Sequence, residues 1–254
     1  MLIDTHSHLY ADEFKDDLDE VIQRCKTSGV EKILLPNIDV SSIDALKGLV
    51  TKDPGMFIPM MGLHPCYVKE NYKEELAAIK AELFSGKYMA VGEIGMDMYW
   101  DKSTVDIQTE AFITQVQWAN ELGLPISVHT RECTSMVIDI LKKQKCDNTG
   151  VFHCFGGTLE EAREIIDMGY CLGIGGVVTF KNSNLGEILK EVGMKNLVLE
   201  TDSPYLAPVP HRGKRNESSY TQLVALKLAD IFGIPLPGIE EITTTNANRI
   251  FKLI

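Results

Sequence analysis

Leu2-Ile3-Asp4-Thr5-His6-Ser7-His8 opens the chain, and the two histidines one residue apart at the end of this apolar run govern how the rest is read. Side chains alternate faces along a β-strand, so His6 and His8 point the same way and can close on one cation. Such a pair needs further ligands, and the ends of later apolar runs supply them: Glu93 after Val91-Gly92, His129 after Ser127-Val128, His153 after Val151-Phe152, and Asp202 after Leu199-Glu200-Thr201. The chain has six histidines, and four of them take such positions.

The same spacing decides the fold. Short apolar, β-branched runs recur at 1–6, 31–37, 56–63, 88–93, 124–129, 149–153, 170–174 and 196–202, about eight candidate strands. Between them, helical spacing appears in Leu18, Val21, Ile22 and Cys25, in Ala111, Phe112, Val116, Ala119 and Leu122, and in Ala162, Ile165 and Ile166. Each spacer accommodates one crossover helix, so the expected class is α/β, a single-domain (β/α)8 barrel of the TIM type over 1–254. The competing arrangement, a doubly wound open sheet, usually has a Gly-rich turn after its first strand, where this chain has histidines. Only a closed sheet lets strand ends distributed around a ring converge on one point. From about 216 onward the pattern reads as C-terminal helices, with Leu223, Leu226 and Leu228 in one and Ile250 to Leu253 in another. Gly233, Pro235, Pro237 and Gly238 mark a turn between them.

With 44% hydrophobic residues in 254, the chain can fill a full core, and its length matches the roughly 250 residues of such a barrel. No low-complexity segment or repeat is present, which sets aside disorder and solenoids. Met1 leads into the first strand with no basic flank or apolar h-region, and no run approaches the roughly 18 apolar residues of a membrane helix; a cytoplasmic protein with no membrane partner is expected. The cysteines at 25, 66, 133, 146, 154 and 171 show no CxxC pair, which suits reduced thiols, and alternation points Cys154 away from the face of His153. A net charge of −11 argues against a long non-specific footprint on duplex DNA. Bound divalent cations would restore positive charge where a phosphate sits.

One histidine near a strand end is ordinarily a hydrogen-bonded structural residue. Four, with two carboxylates, all aimed into a barrel mouth, imply metal, because unpaired buried acids are costly unless a cation or partner neutralises them. Six ligands exceed one catalytic zinc site, which takes three protein groups and keeps a position open, so two divalent cations per chain are expected. Glu93 is the bridging carboxylate, with the ions roughly 3.5–4 Å apart; His6 and His8 hold one ion, His129 and His153 the other. Asp202 ligates one ion and accepts a proton from the activated water, although Asp-Ser-Pro also reads as the start of a helix with Asp202 as N-cap. Glu200, on the same strand face, either supports the ligands from behind or takes the place of Asp202. Imidazole with carboxylate suits Zn, Mn, Ni or Fe, and Mg less well.

In order along the chain, DTHSHL from Asp4, Gly62-Leu63-His64-Pro65, GEIGMDMYWDKS from Gly92 to Ser103, His129-Thr130-Arg131-Glu132, FHCFGG from Phe152 and LETDSPYL from Leu199 resemble the TatD-type metal-dependent deoxyribonucleases of the amidohydrolase-like superfamily. The resemblance covers nearly the whole chain. It implies that His6, His8, Glu93, His129, His153 and Asp202 are metal ligands, and that His64 and Arg212 contact the substrate phosphate. His64 before Pro65 otherwise serves a turn, and Arg212 is otherwise a solvated loop charge. The chain departs from the pattern at Met96 and Met98, usually Leu and Tyr or Phe, and at Glu217-Ser218, usually Glu-Pro. Flexible apolar methionines leave the first loop intact, whereas loss of the proline is expected to loosen the chain after Asn216.

The run His211, Arg212, Gly213, Lys214 and Arg215 is the densest basic stretch and follows strand 8, where barrel loops often hold phosphate; Gly173, Gly175 and Gly176 after strand 7 offer amides for the same purpose or simply form a tight turn. Tyr99 and Trp100 either stack on bases or pack beneath their loop. The first expectation is a metal-dependent DNase that trims single-stranded ends of DNA, 3′ to 5′, with Glu93 and Asp202 in catalysis. The second is an amidohydrolase-type enzyme cleaving C–N or ester bonds of a small or tRNA-linked substrate. Many relatives in the wider superfamily bridge their metals with a carbamylated lysine, and no lysine occupies the Glu93 strand end, which favours the first. A non-catalytic metal scaffold fits poorly with an open ligand set. No protein partner is specified, and a monomer is the simplest state.

Overall fold

The computed structural model describes residues 1–144 and 148–253, so Cys146 lies outside the described residues. Strands and helices alternate: β1 Leu2–Asp4, α1 Leu18–Thr27, β2 Val30–Pro36, α2 Ile43–Lys52, β3 Phe57–Met60, α3 Tyr72–Ser85, β4 Val91–Asp97, α4 Val105–Leu122, β5 Ile126–Arg131, α5 Thr134–Gln144, β6 Gly150–Phe152, α6 Leu159–Asp167, β7 Cys171–Ile174, α7 Leu185–Val192 and β8 Leu197–Leu199. Two further helices follow, α8 Thr221–Phe232 and α9 Leu236–Phe251. Every strand pair is parallel, in the orders β1-β2-β3 and β4-β5-β6-β7-β8. Backbone hydrogen bonds cross both seams between these sheets. Gly92 N–H donates to Met61 O at 3.0 Å beside β3 and β4, and Thr5 N–H donates to Leu199 O at 2.9 Å between β1 and β8. Among the described residues, eight strands thus follow one another in a TIM-barrel-like ring, as the periodicity predicts.

Helix faces follow the sequence spacing: α1 buries Val21 and Cys25, α4 buries Ala111, Phe112, Val116 and Ala119, and α6 buries Ala162 and Ile165. A separate inner cluster gathers Ile3, Leu34, Met60, Ala90, Val151, Cys171 and Val198 from around the ring with Ala247, Ile250 and Phe251 of α9. Because α9 touches β1, β6 and β8 at once, it covers the end of the ring where strands begin. The opposite end, where strands finish, is left for chemistry. The turn before α9 is shorter than its residues imply: Gly233, at φ 66°, ends α8 in the left-handed region, while Pro237 and Gly238 fall inside the first turn of α9, whose N–H groups need no intrahelical partner. Among the described residues no single helix is long and apolar enough to cross a membrane. The cysteines at 25, 66, 133, 154 and 171 are free thiols.

Candidate metal centre

β1 stops at Asp4, so strand alternation does not itself aim the histidine pair. The seam with the segment after β8 does: Ser7 bridges Ser203, His8 N–H donates to Ser203 O at 2.8 Å, and Asp202 N–H donates to His6 O at 2.9 Å. β4, by contrast, runs past Glu93 to Asp97 with every residue buried. Gly95 permits this, since at φ 149° it lies so close to β5 that a Cβ would stand 2.0 Å from His129 O. Glu93 therefore projects from within its strand rather than from the strand end.

Glu93 is the centre of the site. Its Oε2 lies 3.2 Å from His6 Nε2 and 3.5 Å from His8 Nε2. Its Oε1 lies 2.8 Å from both His129 Nδ1 and His153 Nε2 and 3.2 Å from His64 Nε2. Asp202 Oδ1 stands 3.5 Å from His8 Nε2 and 3.9 Å from His6 Nε2. His64 thus joins the four imidazoles read from the strand ends. The remaining histidine, His211, stacks on Tyr220 with ring centroids 4.3 Å apart.

Hydrogen bonds behind the rings set which nitrogen faces the centre. Tyr10 donates its hydroxyl to Pro36 O at 2.6 Å, so its oxygen accepts from His8 Nδ1–H at 3.0 Å and the His8 Nε2 lone pair points inward. Asp97 Oδ2 accepts from His129 Nε2–H at 3.0 Å, which turns the Nδ1 lone pair inward. His64 is the reverse case. Its Nδ1 accepts from Cys66 N–H at 3.0 Å, so the proton sits on Nε2 and the inward atom is a donor, not a ligand. His153 Nδ1 is buried without a hydrogen-bond partner, 3.7 Å from Glu200 Oε1, and Glu200 Oε2 is unpartnered as well. Potential ligand atoms in the sets His6-His8-Glu93, His6-His153-Asp202 and His64-Glu93-His129 lie within 4.8 Å of one another. Imidazole lone pairs interleaved with carboxylate oxygens fit borderline divalent cations, and the tautomer of His64 removes it from the last set.

Charge follows geometry. Burial disfavours an ionised Glu93, yet His64, His153 and His6 outweigh it and hold the carboxyl well below the usual range. Asp202 is lowered too, burial being overcome by the hydrogen bond from His8 and the charges of His153 and His6. Against burial, His8 is raised well above the usual imidazole range by Tyr10, Asp202 and Glu93, and His153 by Glu93 and Glu200. Protons and cations therefore compete for the same lone pairs, and metal affinity rises with pH.

Several residues serve differently from their sequence expectations. Asp202 has φ 55°, and the next helical turn begins only at Ser218, so it caps no helix; the left-handed turn instead swings its carboxylate toward His6 and His8. Glu200 is fully buried behind His153, with Oε1 accepting from Cys154 N–H at 2.5 Å. Gly173 makes room for it, since a Cβ there would stand 2.0 Å from Glu200 Oε2; Gly176 likewise lies against Leu206 O, at 2.1 Å from its would-be Cβ. Close packing therefore explains these two glycines. The chain after Asn216 is not loosened: Asn216 donates to Thr201 O at 2.7 Å, Glu217 is gripped by Arg24 at 2.6–3.1 Å, and buried Ser218 donates to Ser7 Oγ at 3.1 Å. A side-chain network thus stands where a proline ring is usual. Met96 and Met98 are buried. Arg212 is exposed at the rim, its guanidinium 4.4 Å over Phe180, and Arg215 is tied to Asp17 at 2.6 Å. Asp97, which holds His129, is the residue of this cluster that the strand ends do not reveal; burial is outweighed by His129 and by the amides of Tyr99 and Trp100, and its carboxyl falls to about 2.

The chain matches the family model described as TatD related DNase over residues 3–252. It is 41% identical over 255 residues to the metal-dependent hydrolase YabD of Bacillus subtilis (strain 168), covering 100% of both chains. It is 33% identical to the metal-dependent hydrolase YcfH of Escherichia coli (strain K12), covering 99% of this chain and 96% of YcfH. Its fold is similar to that of YJJV, a TatD homologue from Escherichia coli K12, with a TM-score of 0.93, 26% identity and coverage of 99% and 98% of the two chains. With the likeness extending over nearly the whole chain, the chain is a metal-dependent hydrolase and belongs to the TatD-related DNase family.

Proposed function

We propose that the chain hydrolyses phosphodiester bonds in DNA, shortening single strands 3′ to 5′, with two divalent cations held on either side of Glu93. The observation that carries this reading is the division of the two Glu93 oxygens between His6 and His8 on one side and His129 and His153 on the other. Divalent cations held by these residues would bring the pKa of a bound water down to about 7 and polarise a phosphoryl oxygen.

The protein's own groups divide the remaining work. Glu93, buried among imidazoles and held ionised, would be the ligand shared between the two halves of the site. Asp202, whose side chain is 14% exposed, is the acid that water reaches, and it takes the proton from the attacking water. His64 presents Nε2–H and donates to a non-bridging phosphoryl oxygen, which agrees with its tautomer. Arg212 faces a neighbouring phosphate from the rim. Incubating end-labelled single-stranded DNA with purified protein, with and without EDTA and beside Asp202→Ala, tests the reading: stepwise shortening from the 3′ end that both treatments abolish is expected. Intact DNA with every divalent ion, together with turnover of small amides or esters, would transfer the chain to the second class.

A further inference from the structure

Tyr99 and Trp100, on the loop after β4, are 49% and 69% exposed, and hydrolysis as described makes no use of them. They do not pack beneath the loop. Yet they are ordered: Asp97 Oδ1 accepts from Tyr99 N–H at 2.9 Å and Trp100 N–H at 3.3 Å, and the two rings meet edge to face at 4.9 Å. The Arg131 guanidinium lies 3.7 Å over the Tyr99 ring and 5.4 Å from that of Trp100. Through its other oxygen the same Asp97 holds His129, so one carboxylate fixes both an aromatic shelf and a ring of the metal cluster. Arg131 also lines a groove of about 530 Å³ together with Thr130, Thr134, Cys154 and Gly157.

We propose that Tyr99, Trp100 and Arg131 form a stacking platform for an unpaired nucleobase next to the scissile phosphate, with the strand continuing along this groove. The inference rests on the DNA reading above and adds how the strand is held. A protein of net charge −11 carries little surplus positive charge with which to grip a backbone, and two of its guanidiniums are already committed, Arg215 to Asp17 and Arg24 to Glu217. Glu132 is engaged with Lys102 at 3.6 Å, which leaves the charge of Arg131 for the ligand. Aromatic faces and a stacked guanidinium attract any base, whatever its sequence, provided it is not already paired. Preference for single strands follows from that requirement.

Tryptophan emission gives a direct probe, because Trp118 is only 6% exposed. A phosphorothioate-linked octathymidylate is titrated into the metal-loaded protein, beside a blunt duplex containing it. Quenching by the single strand and not by the duplex is expected. Fluorescence anisotropy with the labelled oligonucleotide then compares the wild type with Tyr99→Ala/Trp100→Ala, for which Kd should rise about 5- to 150-fold, with partial rescue in Trp100→Phe. Hydrolysis of bis(p-nitrophenyl) phosphate, which has no nucleobase, should be retained and reports that the variant is folded. Unaltered oligonucleotide affinity in the double variant, with wild-type protein still cleaving DNA, overturns the platform and leaves the DNase reading standing. A wild type that turns over the small diester but neither binds nor cleaves DNA overturns both.

Discussion

Replacing Asp97 by Asn changes one atom and reverses a tautomer. Asp97 Oδ1 accepts from the amides of Tyr99 and Trp100, and Oδ2 accepts from His129 Nε2–H at 3.0 Å. An asparagine can satisfy one side only; in either orientation its NH2 faces a group that is itself a donor. With the amide turned toward His129, the ring must shift its proton to Nδ1, the atom that lies 2.8 Å from Glu93 Oε1 and has to offer a lone pair. A hydrogen bond to a charged group contributes about 1.5–3 kcal/mol, corresponding to a loss of metal affinity of roughly 10- to 100-fold, the range seen when such supporting partners are removed. Isothermal titration of Zn(II) or Mn(II) against a competing chelator should show one weakened site in Asp97→Asn, with catalysis recovering at high metal concentration. Wild-type affinity at both sites would refute the assignment of Nδ1 as the ligand atom and of Asp97 as the group that orients it.

Gly173→Ala would place a methyl group 2.0 Å from Glu200 Oε2 and 3.0 Å from His153 Cα, so a destabilisation of about 1–3 kcal/mol in thermal melts and weaker metal binding are expected. Gly156→Ala, whose Cβ would meet nothing nearer than Cys154 O at 3.9 Å, serves as the neutral comparison; equal effects at the two positions would contradict the packing argument. Asp4 is fully buried, and desolvation, only partly offset by hydrogen bonds from Thr201 and His6, raises its carboxyl to about 7 from 3.8. The native state then holds more protons than the unfolded chain between those values, so stability falls as pH rises through that interval, by at most about 4 kcal/mol, and levels off above it. Urea melts between pH 4 and 8 should show that fall in the wild type and not in Asp4→Asn; parallel profiles would rule it out.

The strands were legible because burial inside a parallel barrel leaves continuous apolar runs, and those runs end where the ring opens. That is also why His129 and His153 could be found one by one. Which nitrogen each ring offers was not legible, since Tyr10, Asp97 and Cys66 fix it through contacts that sequence does not display. Asp97 did leave a signal: Glu93, Gly95 and Asp97 alternate, and a strand carried beyond Glu93 places the two acids on one face. Ending the strand at Glu93 concealed it. The looseness expected after Asn216 failed because a missing proline says nothing about the partners that replace it, here Arg24 and Ser7. The role of Gly173 was equally hidden, as the carboxylate it accommodates comes from the next strand end.

The most direct measurement is the number and position of ions in the metal-loaded protein. The protein is equilibrated with Zn(II) or Mn(II) and freed of excess, then examined by elemental analysis and by anomalous scattering from crystals. Two ions per chain are expected, one between His6, His8 and Glu93, the other between Glu93, His129 and His153, with Asp202 at the water-facing side. A stoichiometry near zero, or ions lodged away from Glu93, would contradict the assignment of this cluster as the catalytic centre.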